Sequence, residues 1–159
     1  MRPTTGKVLQ ALFNILGSLE GKSFLDLFSG SGQIGLNAYQ RRAESVCLVE
    51  SDRKRHFDIV KNMPEDVKCL CIDVRRALSR FAKNGESFDV IFADPPYGLG
   101  WGTELPQLIC RYSEVLSTDG TLIFEHSEKE KADDIPGWKR EERTYGGTVL
   151  TFYKRSVDL

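Results

Sequence analysis

The chain has 159 residues, 40% hydrophobic and 28% charged, with 22 Lys and Arg against 23 Asp and Glu for a formal charge of −1. That length fits one ordinary domain able to bury its own core, and the balanced charge excludes a global electrostatic footprint for polyanions. No apolar run approaches the roughly 20 residues that a membrane-spanning helix needs, and Met1-Arg2-Pro3-Thr4-Thr5 lacks the apolar core of a secretory signal, so cytoplasm is the expected compartment.

In chain order, Pro3-Thr4-Thr5 reads as a helix start, and Val8, Leu12, Ile15 and Leu16 share one side of a helix expected over Lys7 to Leu16. Short apolar runs then predict strands at Ser23 to Leu27, Ser45 to Val49, Val67 to Ile72, Phe88 to Ala93 and Thr121 to Phe124. Helical periodicity falls between them, at Gln33 to Arg41, Arg53 to Asn62, Val74 to Lys83 and Glu104 to Tyr112. Tyr145-Gly146-Gly147 separates Trp138 to Thr144 from Thr148 to Lys154 and marks a hairpin. The fold class expected is therefore α/β: a doubly wound, mostly parallel, seven-stranded sheet with a C-terminal antiparallel hairpin, in one domain over residues 1–159. Cys47, Cys69, Cys71 and Cys110 form no C-x-x-C pair and have no histidines at metal-ligand spacing; they are read as core thiols, with no metal expected.

In such a sheet the ligand crevice lies at the carboxyl ends of the strands where their order reverses, and two motifs fall there. The first is Asp26-Leu27-Phe28-Ser29-Gly30-Ser31-Gly32-Gln33-Ile34-Gly35, whose glycines have G-x-G-x-x-G spacing between a strand and a helix. Glu50 follows Gly30 by twenty residues at the end of the next strand, where a carboxylate can accept both hydroxyls of a ribose. Asp73 ends the third strand; it is read either as an acceptor for an adenine amine or as a helix N-cap. The bland alternative is that the glycines only permit a tight turn. Asp26 favours S-adenosylmethionine over a nicotinamide cofactor, because a negative charge at the loop entrance suits a sulfonium and an ammonium and opposes a pyrophosphate. The candidate cofactor residues are Asp26, Phe28, Gly30, Ser31, Gly32, Glu50, Ser51, Asp73 and Val74.

The second motif, Asp94-Pro95-Pro96-Tyr97, ends the fourth predicted strand. Two prolines stiffen the turn and remove two backbone donors, which leaves acceptors. An exocyclic base amine is a poor nucleophile, and it becomes a better one when Asp94 and the Pro95 carbonyl take its hydrogens while Tyr97 stacks on the base. Asp94, Pro95, Pro96 and Tyr97 are thus the candidate catalytic residues, and the glycines around Trp101 read as a flexible flap or a plain solvent loop.

Arg2-Pro3-Thr4-Thr5, the Ala11-Leu12-Phe13-Asn14 run, the Asp26 to Gly35 loop and the Asp94 to Tyr97 tetrapeptide together resemble the RsmD-type family of bacterial methyltransferases. The resemblance implies a class I methyltransferase sheet and transfer from S-adenosylmethionine, leaving S-adenosylhomocysteine, to the guanine exocyclic amine of small-subunit (16S) ribosomal RNA. It also implies residues 1–20 as a helical substrate and cofactor lid, substrate contacts at Arg2, Thr4, Thr5 and Lys7, and a ribosomal RNA or ribonucleoprotein partner for a monomeric enzyme without a membrane. Lys7, Arg41, Arg42, Arg53, Lys54, Arg55, Arg75 and Arg76 are the other cations that could meet phosphates. The rival readings are an adenine-amino methyltransferase of DNA or RNA, a cofactor-binding module without catalysis, and a nicotinamide oxidoreductase.

Overall fold

The computed structural model describes residues 6–156. Strands β1 (Ser23–Asp26), β2 (Ser45–Val49), β3 (Lys68–Leu70), β4 (Phe88–Ala93), β5 (Leu116–Ser127), β6 (Trp138–Tyr145) and β7 (Thr148–Arg155) form one sheet in the order β3-β2-β1-β4-β5-β7-β6. β3, β2, β1, β4 and β5 run parallel, whereas β7 pairs antiparallel with both β5 and β6, which gives the expected terminal hairpin. Strand order reverses between β1 and β4, the place where such sheets open a crevice.

Helices α1 (Gly6–Leu16), α2 (Gln33–Gln40), α3 (Arg53–Asn62), α4 (Val74–Lys83) and α5 (Trp101–Arg111) connect the strands. The sheet's two faces carry separate cores. On one, Val8, Leu12 and Phe13 of α1, Ile34 and Ala38 of α2 and Ile59 of α3 cover Phe24, Leu48, Phe92 and Ile123. On the other, Val74, Ala77, Leu78 and Phe81 of α4 join Leu105 and Ile109 of α5 over Leu25, Ile91 and Leu122. The α4 residues recur at i, i+3, i+4 and i+7, one buried stripe of a helix whose exposed sides carry Arg75, Arg76, Arg80 and Lys83.

Three expectations are corrected. β3 is shorter than Val67 to Ile72, because as an edge strand it has only β2 to pair with, from Cys47↔Lys68 to Val49↔Leu70. β5 is longer than Thr121 to Phe124, since β7 pairs with it as far as Ser127. Of the cysteines only Cys47 is buried, with its thiol pushed up to about 12 by desolvation, while Cys71, just beyond the end of β3, and Cys110, on the outer side of α5, are exposed.

The segment around Trp101 divides: Gly98 to Gly100 form an exposed turn, whereas Trp101 and Gly102 belong to neither flap nor solvent loop. Trp101 is buried and opens α5 after Gly100, whose φ of 81° only glycine adopts readily. Farther along, Pro106 lies inside the helix and has no N–H to return to the carbonyl four residues earlier. That carbonyl belongs to Gly102, and it accepts instead from Asp133 N at 2.9 Å. A proline that should weaken the helix therefore fastens residues 130–135 to its first turn, with Ala132 and Ile135 buried beneath and Tyr153 Oη donating to Asp133 O at 2.7 Å.

The approach is close enough that a Cβ on Gly102 would stand 2.0 Å from Lys131 O. A glycine-to-alanine change inside an unobstructed helix gains up to about 1 kcal/mol. Gly102→Ala is expected to do the reverse and lose about 2 kcal/mol or more, because a backbone atom cannot rotate aside; urea unfolding checks it, and a stabilised variant refutes this packing.

Candidate active site

The sheet register gathers acids from distant parts of the chain. Asp26 sits opposite Leu48 on β2 and Phe92 on β4, and Phe92 sits opposite Ile123 on β5. Residues two apart on a strand share a face, so Glu50, Asp94 and Glu125 each lie one pleat beyond those partners, on the same face as Asp26. A row of four carboxyl groups follows the carboxyl ends of β2, β1, β4 and β5, and three of them, Asp26, Glu50 and Glu125, are buried.

Glu50 is more than a strand end awaiting a ribose. Its Oε1 accepts from Gly30 N at 2.8 Å and its Oε2 from Asp52 N at 2.9 Å, with Arg55 Nη1 3.9 Å away. It thus ties the glycine loop to the start of α3, and each oxygen keeps acceptor capacity beyond the bond it makes. The loop closes through Gly32, which has φ 83° and whose N donates to Ser29 O at 2.7 Å before α2 begins.

Asp26 is 1% exposed. Burial pushes its carboxyl up to about 8, Glu50 and Glu125 add like-charge repulsion, and the Phe28 N–H at 3.3 Å opposes the shift. The charge expected of Asp26 is therefore not present at neutral pH in the ligand-free protein; the group stands protonated until a cation or a rise in pH removes the proton.

Asp73 acts as the N-cap of α4, accepting from Arg75 N at 2.8 Å, and it pairs with Arg75 Nη1 at 3.1 Å. Arg75 also meets Glu104, with Nη2 donating to Oε1 at 2.8 Å, and its guanidinium lies 4.5 Å from the Trp101 ring centroid. Phe28 packs edge-on against Trp101 at 5.0 Å. The glycine loop, the start of α4 and the start of α5 are joined through this one tryptophan.

A cleft of about 500 Å³ opens on the carboxylate face. Asp26, Phe28, Gly30 and Ser31 line it together with Asp94, so the two motifs seen separately in the sequence share one cavity. Glu50, Ser51, Gly32, Asp73 and Val74 do not line it; Ser51 is exposed and Val74 is buried at the first turn of α4. Pro95 is buried, while Pro96 and Tyr97 are exposed and Gly98 N donates to Glu130 Oε2 at 3.2 Å. Arg2, Thr4 and Thr5 lie outside the described residues, and Lys7 is exposed on α1.

Sequence reasoning missed two parts of this site. One is Glu125, whose only signal is that it ends an apolar strand as Asp26, Glu50 and Asp94 do. The other is the wall made by Arg55, Asp58, Ile59 and Asn62 of α3, for which the helix pattern holds no signal, because crossover packing alone sets the helix beside the cavity. The contents of the cleft, a buried carboxyl group facing a glycine loop, fit a ligand with a cationic end and hydrogen-bonding groups.

The family model described as conserved hypothetical protein 95 matches residues 1–154. Ribosomal RNA small subunit methyltransferase D of Escherichia coli K12 is 32% identical over 163 residues, covering 99% of this chain and 81% of that protein. The protein of the same name from Haemophilus influenzae is 30% identical, covering 97% and 83%. Among solved structures, a hypothetical protein of Thermus thermophilus superposes with a TM-score of 0.81 at 26% identity, covering 96% of this chain and 88% of that one. With its seven-stranded order, its glycine loop and its Asp-Pro-Pro-Tyr strand end gathered on one cleft, the chain belongs to the RsmD-type family of S-adenosylmethionine-dependent methyltransferases.

Proposed function

We propose that this chain transfers a methyl group from S-adenosylmethionine to the exocyclic amine, N2, of a guanine in small-subunit (16S) ribosomal RNA. The observation that carries the reading is the shared cavity: Asp94, which begins the acceptor turn, lines the same cleft as Asp26 and the glycine loop. Similarity to proteins named ribosomal RNA small subunit methyltransferase D supports the RNA as substrate. Adenine is the second reading, because a protein named tRNA1(Val) (adenine(37)-N6)-methyltransferase is 26% identical over 65% of this chain. Transfer of labelled methyl to unmethylated small subunits, with the product nucleoside identified, separates the two; N2-methylguanosine supports the first, and N6-methyladenosine overturns it.

When bound, the cofactor supplies a methyl group already made electrophilic by its sulfonium. The chain supplies position. Asp94 Oδ and the Pro95 carbonyl hold the two amine hydrogens, which directs the nitrogen lone pair toward the methyl group, and Tyr97, 64% exposed, offers its ring to the base. As the nitrogen gains the methyl group and the cofactor's S–CH3 bond breaks, its electron pair staying on the departing sulfur, the nitrogen would become more acidic, and Asp94 would take its proton and pass it to solvent. Asp26, protonated in the ligand-free protein, would give up its proton to face the cationic end of the cofactor, and the Glu50 carboxylate would receive the ribose hydroxyls while still holding Gly30 and Asp52.

Asp94→Ala is expected to lower the single-turnover rate about a hundredfold or more, roughly 2.7 kcal/mol, at nearly unchanged cofactor affinity. Wild-type rates in that variant sink the assignment. Tyr97→Phe should keep most activity and Tyr97→Ala less, since the ring and not the hydroxyl does the stacking.

Glu50→Ala should weaken cofactor binding by about 1–3 kcal/mol. It should also lower the melting temperature of the ligand-free protein, because the Gly30 and Asp52 amides lose their acceptor; calorimetry and thermal unfolding report the two effects separately, and unchanged values in both refute the dual role.

Asp26 gives a pH signature with a definite sign. Its carboxyl keeps its proton to about pH 8 when folded, against an ordinary value of 3.8, so the unfolded chain ionises first. The contribution of Asp26 to stability is therefore full below pH 4 and is lost progressively as pH rises to about 8. Asp26→Asn should flatten that part of the stability profile. A cation bound beside Asp26 should also expel its proton: titrations at pH 7 in buffers of different ionisation enthalpy are expected to show about one proton released per cofactor bound, and none in Asp26→Asn. Equal proton release in the two proteins excludes Asp26 as the source.

A further inference from the structure

Among the described residues the strongly exposed large hydrophobic side chains are Phe57, Val60, Tyr97 and Leu99, at 58%, 50%, 64% and 66%. All four belong to the two segments that flank the cavity. Tyr97 and Leu99 follow Asp94 in the acceptor turn, and Phe57 and Val60 lie on α3, whose Asp58, Ile59 and Asn62 form the cavity wall. At about 100° per residue, Val60, Arg53, Phe57, Lys61 and Lys54 occupy one continuous arc of α3 spanning roughly 120°, and Asp58 joins that arc to the cavity-lining side.

This arc is cationic as well as aromatic. Lys61 Nζ lies 4.4 Å from the Phe57 ring centroid. Among the described residues no ion pair uses Arg53, Lys54 or Lys61; Lys7 on α1 and Arg76 on α4 are in none either but stand singly on other helices, whereas Arg55 is partly committed to Glu50 and Asp52, Arg75 to Glu104 and Asp73, Arg42 to Glu20, and Arg41 to Asn37 and the Phe13 ring. In a chain of formal charge −1, three uncommitted cations around an exposed ring beside the cavity form a local patch that the global charge conceals.

We infer that the outward arc of α3 is the docking surface for the RNA strand leading into the cavity: Phe57 stacks on an unpaired base next to the target nucleotide, and Arg53, Lys54 and Lys61 take the neighbouring phosphates. The inference rests on the RNA reading above and extends it to residues outside the catalytic cleft. Charge selects the partner. Phe57 and Val60 alone supply far less apolar surface than a stable protein interface buries, whereas a ring between cations is the composition that single-stranded nucleic acid needs.

Filter binding of the full chain to protein-free, unmethylated small-subunit RNA at several salt concentrations tests it, alongside cofactor calorimetry and thermal unfolding. The variant Arg53→Gln/Lys54→Gln/Lys61→Gln is expected to bind RNA at least tenfold more weakly at about 0.1 M salt. Its slope of log affinity on log salt should be shallower by about two, since each lost phosphate contact to a single strand removes about 0.7. Phe57→Ala should weaken binding about fivefold or more without changing the slope, and Phe57→Trp should restore it. Cofactor affinity and melting temperature should not move in any of them. Unchanged RNA affinity and slope in the triple variant overturn the inference. A defect confined to assembled subunits also overturns it and assigns the face to a protein. RNA bound but never methylated by the unaltered chain counts against the proposed reaction instead, and the same slopes still decide the docking surface.

Discussion

The Glu50 carboxylate, shared between the Gly30 and Asp52 amides, is the contact on which the geometry of the site depends. It bridges the loop after β1 and the helix start after β2, two segments that the parallel order places side by side but that no backbone ladder joins. Two charge-assisted bonds from one buried carboxylate are stronger than neutral ones, and they settle where the loop amides point. The same carboxylate also acts on its neighbour: burial is what chiefly pushes the Asp26 carboxyl up, and the charges of Glu50 and Glu125 add to it.

The opposite wall is organised by packing. Trp101 stands between Phe28 of the glycine loop and the Arg75 guanidinium at the start of α4. The helix that Trp101 opens is pinned from below, since Pro106 leaves the Gly102 carbonyl to Asp133. The turn carrying Asp94 to Tyr97 is thus held at one end by β4 and at the other by α5. Rigid support on both sides is what a site acting by position requires, because small misplacements of an acceptor forfeit much of the gain.

The even balance of charge across the chain hides a division of labour. Four acids gather along the ends of four strands, where the sheet register puts them on one face and three of them are buried. Cations collect outside, and among the described residues five of them, Arg42, Arg55, Lys68, Arg75 and Arg140, are drawn into pairs with acids. The carboxylate row is a poor site for an anion and a good one for hydrogen-bond donors and cations.

The sequence by itself determined the element order, the reversal between β1 and β4, the hairpin at Tyr145 to Gly147 and both site motifs, because each rests on local physics: a period of two or of 3.6, glycines where the backbone must turn, prolines where donors must be missing. It also placed Glu50 and Asp94 at strand ends. It could not tell that Glu50 is already engaged by two amides, that Asp26 is protonated, that Glu125 joins the row, or that α3 walls the cavity, since each depends on which strands become neighbours and how much water they exclude. Trp101 is the sharpest instance. Flanked by glycines, it reads locally as part of a loop, and only the contacts with Phe28 and Arg75, brought from 73 and 26 residues away, make it the buried first residue of a helix. Local propensity is a weak prior, and burial of a large aromatic side chain outweighs it.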